Sequence, residues 1–193
     1  MTKAPEINAF EALEIIKEHG ATPELLEIIA TNPFTADYYS KYITQEPFPI
    51  GEEAISQDVH LAYWYAVRYG VILPLAEKLF AKNTEYAFQY FYHIKMQPEP
   101  LCEEALCRNC DYAYKYMLRF GFFDKGIEAI SKDATLALSY AMNVLNAPFP
   151  MGEEAIYSSK RERLLYRHYV LNEPNLDMKQ IDYYYDELFG LPF

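Results

Sequence analysis

Three cysteines, Cys102, Cys107 and Cys110, carry the spacing of three ligands of a plant-type iron–sulfur site. That chemistry needs a fourth thiolate, and the chain has only these three cysteines. No metal or cofactor is therefore expected. Cys110 falls at the first position after a helix cap, where the dipole lowers a thiol pKa, so it should be the reactive cysteine if exposed. Carboxylate pairs recur at Glu52/Glu53, Glu103/Glu104 and Glu153/Glu154. Adjacent residues on a helix point in different directions, so such pairs do not converge on one proton as an acid–base dyad must. They read instead as anions stabilising helix starts. His19, His60, His93 and His168 share no four-residue spacing, and no zinc-protease, phosphate-loop or nucleophile-elbow motif occurs. The chain is not expected to be an enzyme.

What must position these residues is a repeat. The phrase PFPIGEEAI at Pro47–Ile55 returns as PFPMGEEAI at Pro148–Ile156. One polar column sets the register: Asn32, Asp58, Asn83, Asn109, Asp133 and Ser159. Each of these side chains can accept the orphan amides of a helix start. Seven residues on stands a tyrosine, at Tyr39, Tyr65, Tyr90, Tyr116, Tyr140 and Tyr166. Four residues on stands Ala36, Ala62, Ala87, Ala113 or Ala137, with Arg163 breaking the series. Three residues before the cap lies Ile29, Ile55, Phe80, Leu106, Ile130 or Ile156. The alanine, the tyrosine and a later apolar residue (Ile43, Tyr69, Ile94, Phe120, Val144, Val170) share one helical face, which is expected to be core.

Each unit thus reads as a short helix followed by a longer one. The fold class expected is all-α: an α-solenoid of about six two-helix repeats over residues 22–172, in one domain spanning 1–193. A capping helix at 8–19 stops at Gly20, and Thr22–Pro23 opens the first short helix. A C-terminal helix at 176–189 is closed by Gly190 and Pro192.

A repeat protein is defined by its surface, so candidate functional positions are those outside the core stripe. Six and ten residues after each cap the chain reads Tyr38/Tyr42, Trp64/Arg68, Gln89/His93, Lys115/Arg119, Ser139/Asn143 and Leu165/Tyr169. Tyr, Trp and Arg dominate interface hot spots. Tyr38, Tyr42, Trp64, Arg68, His93, Lys115, Arg119 and Tyr169 are accordingly the expected partner-binding residues.

Acids outnumber bases 28 to 17, a formal charge of −11, which disfavours direct nucleic-acid binding. Lys160, Arg161, Arg163 and Arg167 form the one basic concentration, read as solvent-facing rather than anion-binding. No apolar run approaches the ~20 residues of a membrane span. The amino-terminal stretch has Glu6, Glu11 and Glu14 and no signal-peptide pattern. With an odd number of cysteines the expectation is a cytoplasmic protein.

The units resemble the phage-encoded and bacterial helical repeats of about 26 residues, with a consensus close to GPFPxGExxI followed by DPxxAYxYA. PFPMGEEAI and the Asn/Asp, Ala and Tyr columns carry the resemblance over Glu24–Val170. Lys160 to Arg163 depart from it. The resemblance implies a helical repeat protein of viral origin and brings no catalytic residue. The expected function is a non-catalytic protein-interaction module, a phage accessory or inhibitor protein that binds a host protein. The alternative is an acidic decoy occupying the DNA site of a host protein; a third reading, an enzyme or cofactor binder, would need a deep polar pocket.

Overall fold

The computed structural model describes residues 7–190, so Glu6 and Pro192 lie outside the described residues. Every regular element among the described residues is helical, and there is no strand. Contacts divide the chain into two compact units, Met1–Cys102 and Glu103–Phe193.

In the first unit α1 (Ala9–His19) is followed by α2 (Pro23–Ile29) and α3 (Pro33–Tyr38), which continues as a π-helical stretch over Tyr39–Thr44. A 3-10 turn at Pro49–Gly51 leads into α4 (Glu52–Ile55), then α5 (Val59–Tyr69) and α6 (Glu77–Phe80). Next, α7 (Thr84–Ala87) runs on as a π-helix over Phe88–Lys95, and the unit boundary falls inside α8 (Pro100–Leu106). The second unit holds α9 (Cys110–Phe120), α10 (Asp124–Ile130) and α11 (Ala134–Tyr140) with its π-turn at Ala141–Leu145. There follow a 3-10 turn at Pro150–Gly152, α12 (Glu153–Ser158), α13 (Lys160–Tyr169) and α14 (Met178–Phe189).

The caps explain where these helices begin. Asn32, Asp58, Asn83, Asn109 and Asp133 each accept an amide of the first turn; Asp58 takes those of His60 and Leu61, both at 2.9 Å. Ser159 departs from this column. Its backbone holds the cap position, but its hydroxyl donates to the Glu162 carboxylate instead of accepting an amide. Glu162 is itself buried, and also receives Thr135 Oγ1 at 2.9 Å and Arg161 Nη2 at 2.8 Å. Burial pushes this carboxyl up, but the bonds from Arg161, Ser159 and Thr135 outweigh burial and hold it down at about 2. α1 starts on a reciprocal cap in which Asn8 takes the Glu11 amide and Glu11 takes the Asn8 amide.

The core is built from the repeated columns. Ile29, Ile55, Phe80, Leu106, Ile130 and Ile156 have no exposed surface, and neither do Ala36, Ala62, Ala87, Ala113 and Ala137. All six column tyrosines are buried. Their hydroxyls must then find partners, and in three cases they reach back to the connection before the short helix. Tyr65 Oη accepts the Phe48 amide at 2.6 Å, Tyr90 Oη that of Leu73 at 2.8 Å, and Tyr166 Oη that of Phe149 at 2.9 Å. Two of them also donate to the first glutamate of the Gly-Glu-Glu phrase: Tyr65 to Glu52 Oε1 at 3.1 Å, Tyr166 to Glu153 Oε1 at 2.9 Å. Burial raises all three hydroxyl pKa values, to about 12 at Tyr90 and Tyr166.

This contact accounts for the PFPxGEE phrase. Phe48 and Phe149 are buried, and a Cβ on Gly51 or Gly152 would lie 2.5 Å from the phenylalanine ring. It would also lie 2.8 Å from Ala36 Cβ or 2.7 Å from Ala137 Cβ, respectively. Both glycines have negative φ, so close approach rather than backbone conformation selects them.

Two features differ from the sequence expectation. The long helices alternate: those capped by Asn32, Asn83 and Asp133 end in π-turns and a left-handed Gln45, Met96 or Asn146, whereas α5 and α9 end at Gly70 and Gly121. Neighbouring long helices up to α11 therefore differ in how they end. Second, the last apolar position of the expected core face is only half-buried, and Ile43 is 39% exposed. Tyr69 and Phe120 share this half-burial at the ends of α5 and α9, so it goes with the last turn of the long helix whether or not that turn is π-wound.

Candidate partner-binding surface

On the long helices of the first unit one groove brings together two of the expected residues, Trp64 and Arg68. This groove, of about 450 Å³, is lined by Asp37 of α3, Lys41, and Leu61, Trp64, Val67 and Arg68 of α5. Trp64 is 57% exposed, its ring 5.2 Å from that of Tyr63. Arg68 is fixed: its Nη1 donates to Asp37 Oδ1 at 3.0 Å, and its guanidinium carbon lies 5.3 Å from the Tyr69 ring centre. Tyr69 is held in turn by Ser40, donating to the Ser40 carbonyl at 2.9 Å and accepting the Ser40 hydroxyl at 2.7 Å. Tyr38 and Tyr42 stand one turn apart with rings 4.8 Å apart, exposed 38% and 56%. Lys17 Nζ lies 4.5 Å from the Tyr38 ring centre and Lys41 Nζ 4.7 Å from that of Tyr42. The result is an aromatic surface edged by cations, beside one neutralised Arg–Asp pair.

The other expected positions are placed differently. His93 is exposed, against Phe88 and Tyr92, and does not line that groove. Lys115 and Arg119 are exposed on α9 of the second unit, the Arg119 guanidinium 5.3 Å from the Phe120 ring centre. Tyr169 packs its ring 5.2 Å from Tyr185 of α14, so the terminal helix already covers part of it. The column itself needs correction at its end: Leu165 has no exposed surface and Ser139 is buried, both as core. Arg163 stands exposed where the other units have a buried alanine, so the last long helix buries Glu162 and Leu165 instead.

The chemistry-bearing residues are likewise accounted for. Cys110 is half-buried, with its Sγ 3.5 Å from the Ala129 carbonyl it bonds, not an open thiol. Cys102 is buried and donates to the Glu99 carbonyl at 3.0 Å, while burial pushes the Cys107 thiol up. Among the described residues no group of three or more His, Cys, Asp and Glu side chains could hold a metal ion. The glutamate pairs split their roles. Glu52 and Glu153 turn in to the core tyrosines, and Glu53 and Glu154 face solvent. The basic concentration is partly neutralised, since Arg161 pairs with Glu162 and Glu187 and Arg167 with Glu173.

Sequence reasoning missed a second set of surface residues. The position five before Ile55 and its equivalents holds Ile50, Leu75, Leu101 and Met151, exposed 56%, 65%, 47% and 57%. The signal was present, because each directly precedes a buried small residue (Gly51, Ala76, Cys102, Gly152) at the same place in its unit. No family model, curated protein or solved structure matches the chain.

Proposed function

We propose that this chain is a non-catalytic protein-interaction module, a helical repeat stack of the phage type that holds a host protein in the host cytoplasm. The observation that carries the reading is the Tyr38–Tyr42–Trp64 surface. Trp64 lines a groove with Asp37 and Lys41, and Tyr38 and Tyr42, the residues next to those two on the neighbouring long helix, are exposed as well, while the tyrosine column of the same helices is buried. Aromatic anchors at a pocket edge, with a neutralised arginine beside them, have the make-up of an interface hot spot. Lys115 and Arg119 extend the same helical positions in the second unit.

The decoy alternative draws on the charge of −11. Paired rows of carboxylates would suit it best, and Glu52 and Glu153 are instead engaged with Tyr65 and Tyr166. The test is capture of host protein on immobilised chain. Tyr38→Ala/Tyr42→Ala/Trp64→Ala should lose capture at least tenfold with helicity intact, and Glu53→Lys/Glu154→Lys should change it less than threefold. Loss confined to the glutamate variant, with a steep dependence on salt, would favour the decoy.

A further inference from the structure

The short helices carry a second surface, independent of the aromatic one. Between α2 and α4 lies a groove of about 600 Å³ lined mainly by apolar residues, Pro23, Leu26, Ala30, Ile50 and Ala54, with Thr31 and Gln57. Two exposed glutamates, Glu27 and Glu53, complete its lining. Nothing in the core needs Ile50 at its position, because the neighbouring Gly51 and Phe48 make the packing contact.

Part of the arrangement recurs. In the second unit Met151, Glu154 and Ala155 stand for Ile50, Glu53 and Ala54 around a groove of about 520 Å³, but the rest of its lining is Ser131, Ser158 and the cationic Lys132, so the apolar, acidic character belongs to the α2–α4 groove. Along the sequence the position of Glu53 is filled by Glu27, Lys78, Glu104, Glu128 and Glu154 in the other units, all exposed. The position of Ile50 is aliphatic or Met in four units. In those four units the exposed apolar residue is followed three residues on by Glu53, Lys78, Glu104 or Glu154, a carboxylate in three of the four.

We propose that the α2–α4 groove binds a cationic amphipathic peptide segment, seating two or three aliphatic side chains on Leu26 and Ile50 while flanking lysines or arginines meet Glu27 and Glu53. The volume suits a few side chains rather than a folded domain. The charge selects the partner, because a neutral apolar segment would leave the two carboxylates partly desolvated and unpaired. An acidic segment is excluded by repulsion from the same pair.

The probe is a fluorescein-labelled fourteen-residue peptide of leucine and lysine patterned as an amphipathic helix, titrated with the full chain and followed by anisotropy at low and physiological salt. Ile50→Ser should weaken binding about tenfold, and Glu27→Lys/Glu53→Lys at least as much. Glu18→Lys/Asp182→Lys, with the same change in net charge at exposed positions that do not line the groove, should leave it within twofold. A peptide with serine for every leucine should bind at least tenfold more weakly. Circular dichroism confirms that each variant stays folded. Equal loss in the two charge-reversal variants, or unchanged affinity in Ile50→Ser, would overturn the proposal and leave only diffuse attraction to an acidic protein. Tighter binding of duplex DNA or of a glutamate–leucine peptide would overturn it as well.

Discussion

Tyr65→Phe isolates one oxygen atom and tests how the units are joined. The ring stays, so no cavity opens, and the change removes only the hydroxyl that accepts the Phe48 amide at 2.6 Å and donates to Glu52 at 3.1 Å. Glu52 is half-buried and can turn to water. The Phe48 amide is sealed in the core and has no such recourse. Leaving a buried donor unpaired costs about 1–3 kcal/mol, more than the ~1 kcal/mol net value of a typical hydrogen bond. Tyr65→Ala adds a cavity and should cost about 3–5 kcal/mol. Urea unfolding with common slopes gives both values. A Tyr65→Phe loss below about 0.5 kcal/mol would refute the inference that the tyrosine hydroxyl fastens each short helix to the next long one.

Three further outcomes follow from the same contacts. Gly51→Ala should cost about 1–3 kcal/mol by overpacking against Phe48 and Ala36, whereas Gly70→Ala, at φ 64 in open space, should cost about 1 kcal/mol through the backbone alone; thermal melts separate them. The Glu162 carboxyl falls from an ordinary 4.5 to about 2 on folding, so its contribution, roughly 2–3 kcal/mol, is full above pH 4.5 and lost as pH falls through about 2. Glu162→Gln should therefore destabilise at neutral pH and flatten that part of the acid titration of stability. Arg68→Ala should lower stability by about 1–3 kcal/mol because it strands the nearly buried Asp37, and Arg68→Ala/Asp37→Ala together should recover part of the loss in a double-mutant cycle.

Helix content and the buried columns were legible because caps and apolar residues recur at fixed offsets, a local property that sequence displays directly. The tyrosine hydroxyls were not, since spacing shows that Tyr65 is core but not that its oxygen meets the Phe48 amide far back in the chain. The π-turns were invisible to a reading that assumes α-helical winding. Ser159 has the residue type of a cap, yet a buried carboxylate three residues on takes its hydroxyl. Of the surface residues, Tyr38, Tyr42, Trp64 and Arg68 were found by their register, and Leu165 failed because the irregular last unit shifts its buried face. Ile50 and Met151 escaped notice because candidate surface positions were placed on the long helices alone.

Trp64 is the chain's single tryptophan, so 5-fluorotryptophan labelling places one fluorine signal on the proposed interface. Fluorine NMR of the labelled chain, titrated with the protein it captures, reports that site without interference from the partner. Saturable movement of the resonance, with loss of its solvent-exposure effect, is the predicted result. A partner that binds at the same concentrations while the Trp64 signal keeps its position and solvent exposure would contradict the assignment of this face.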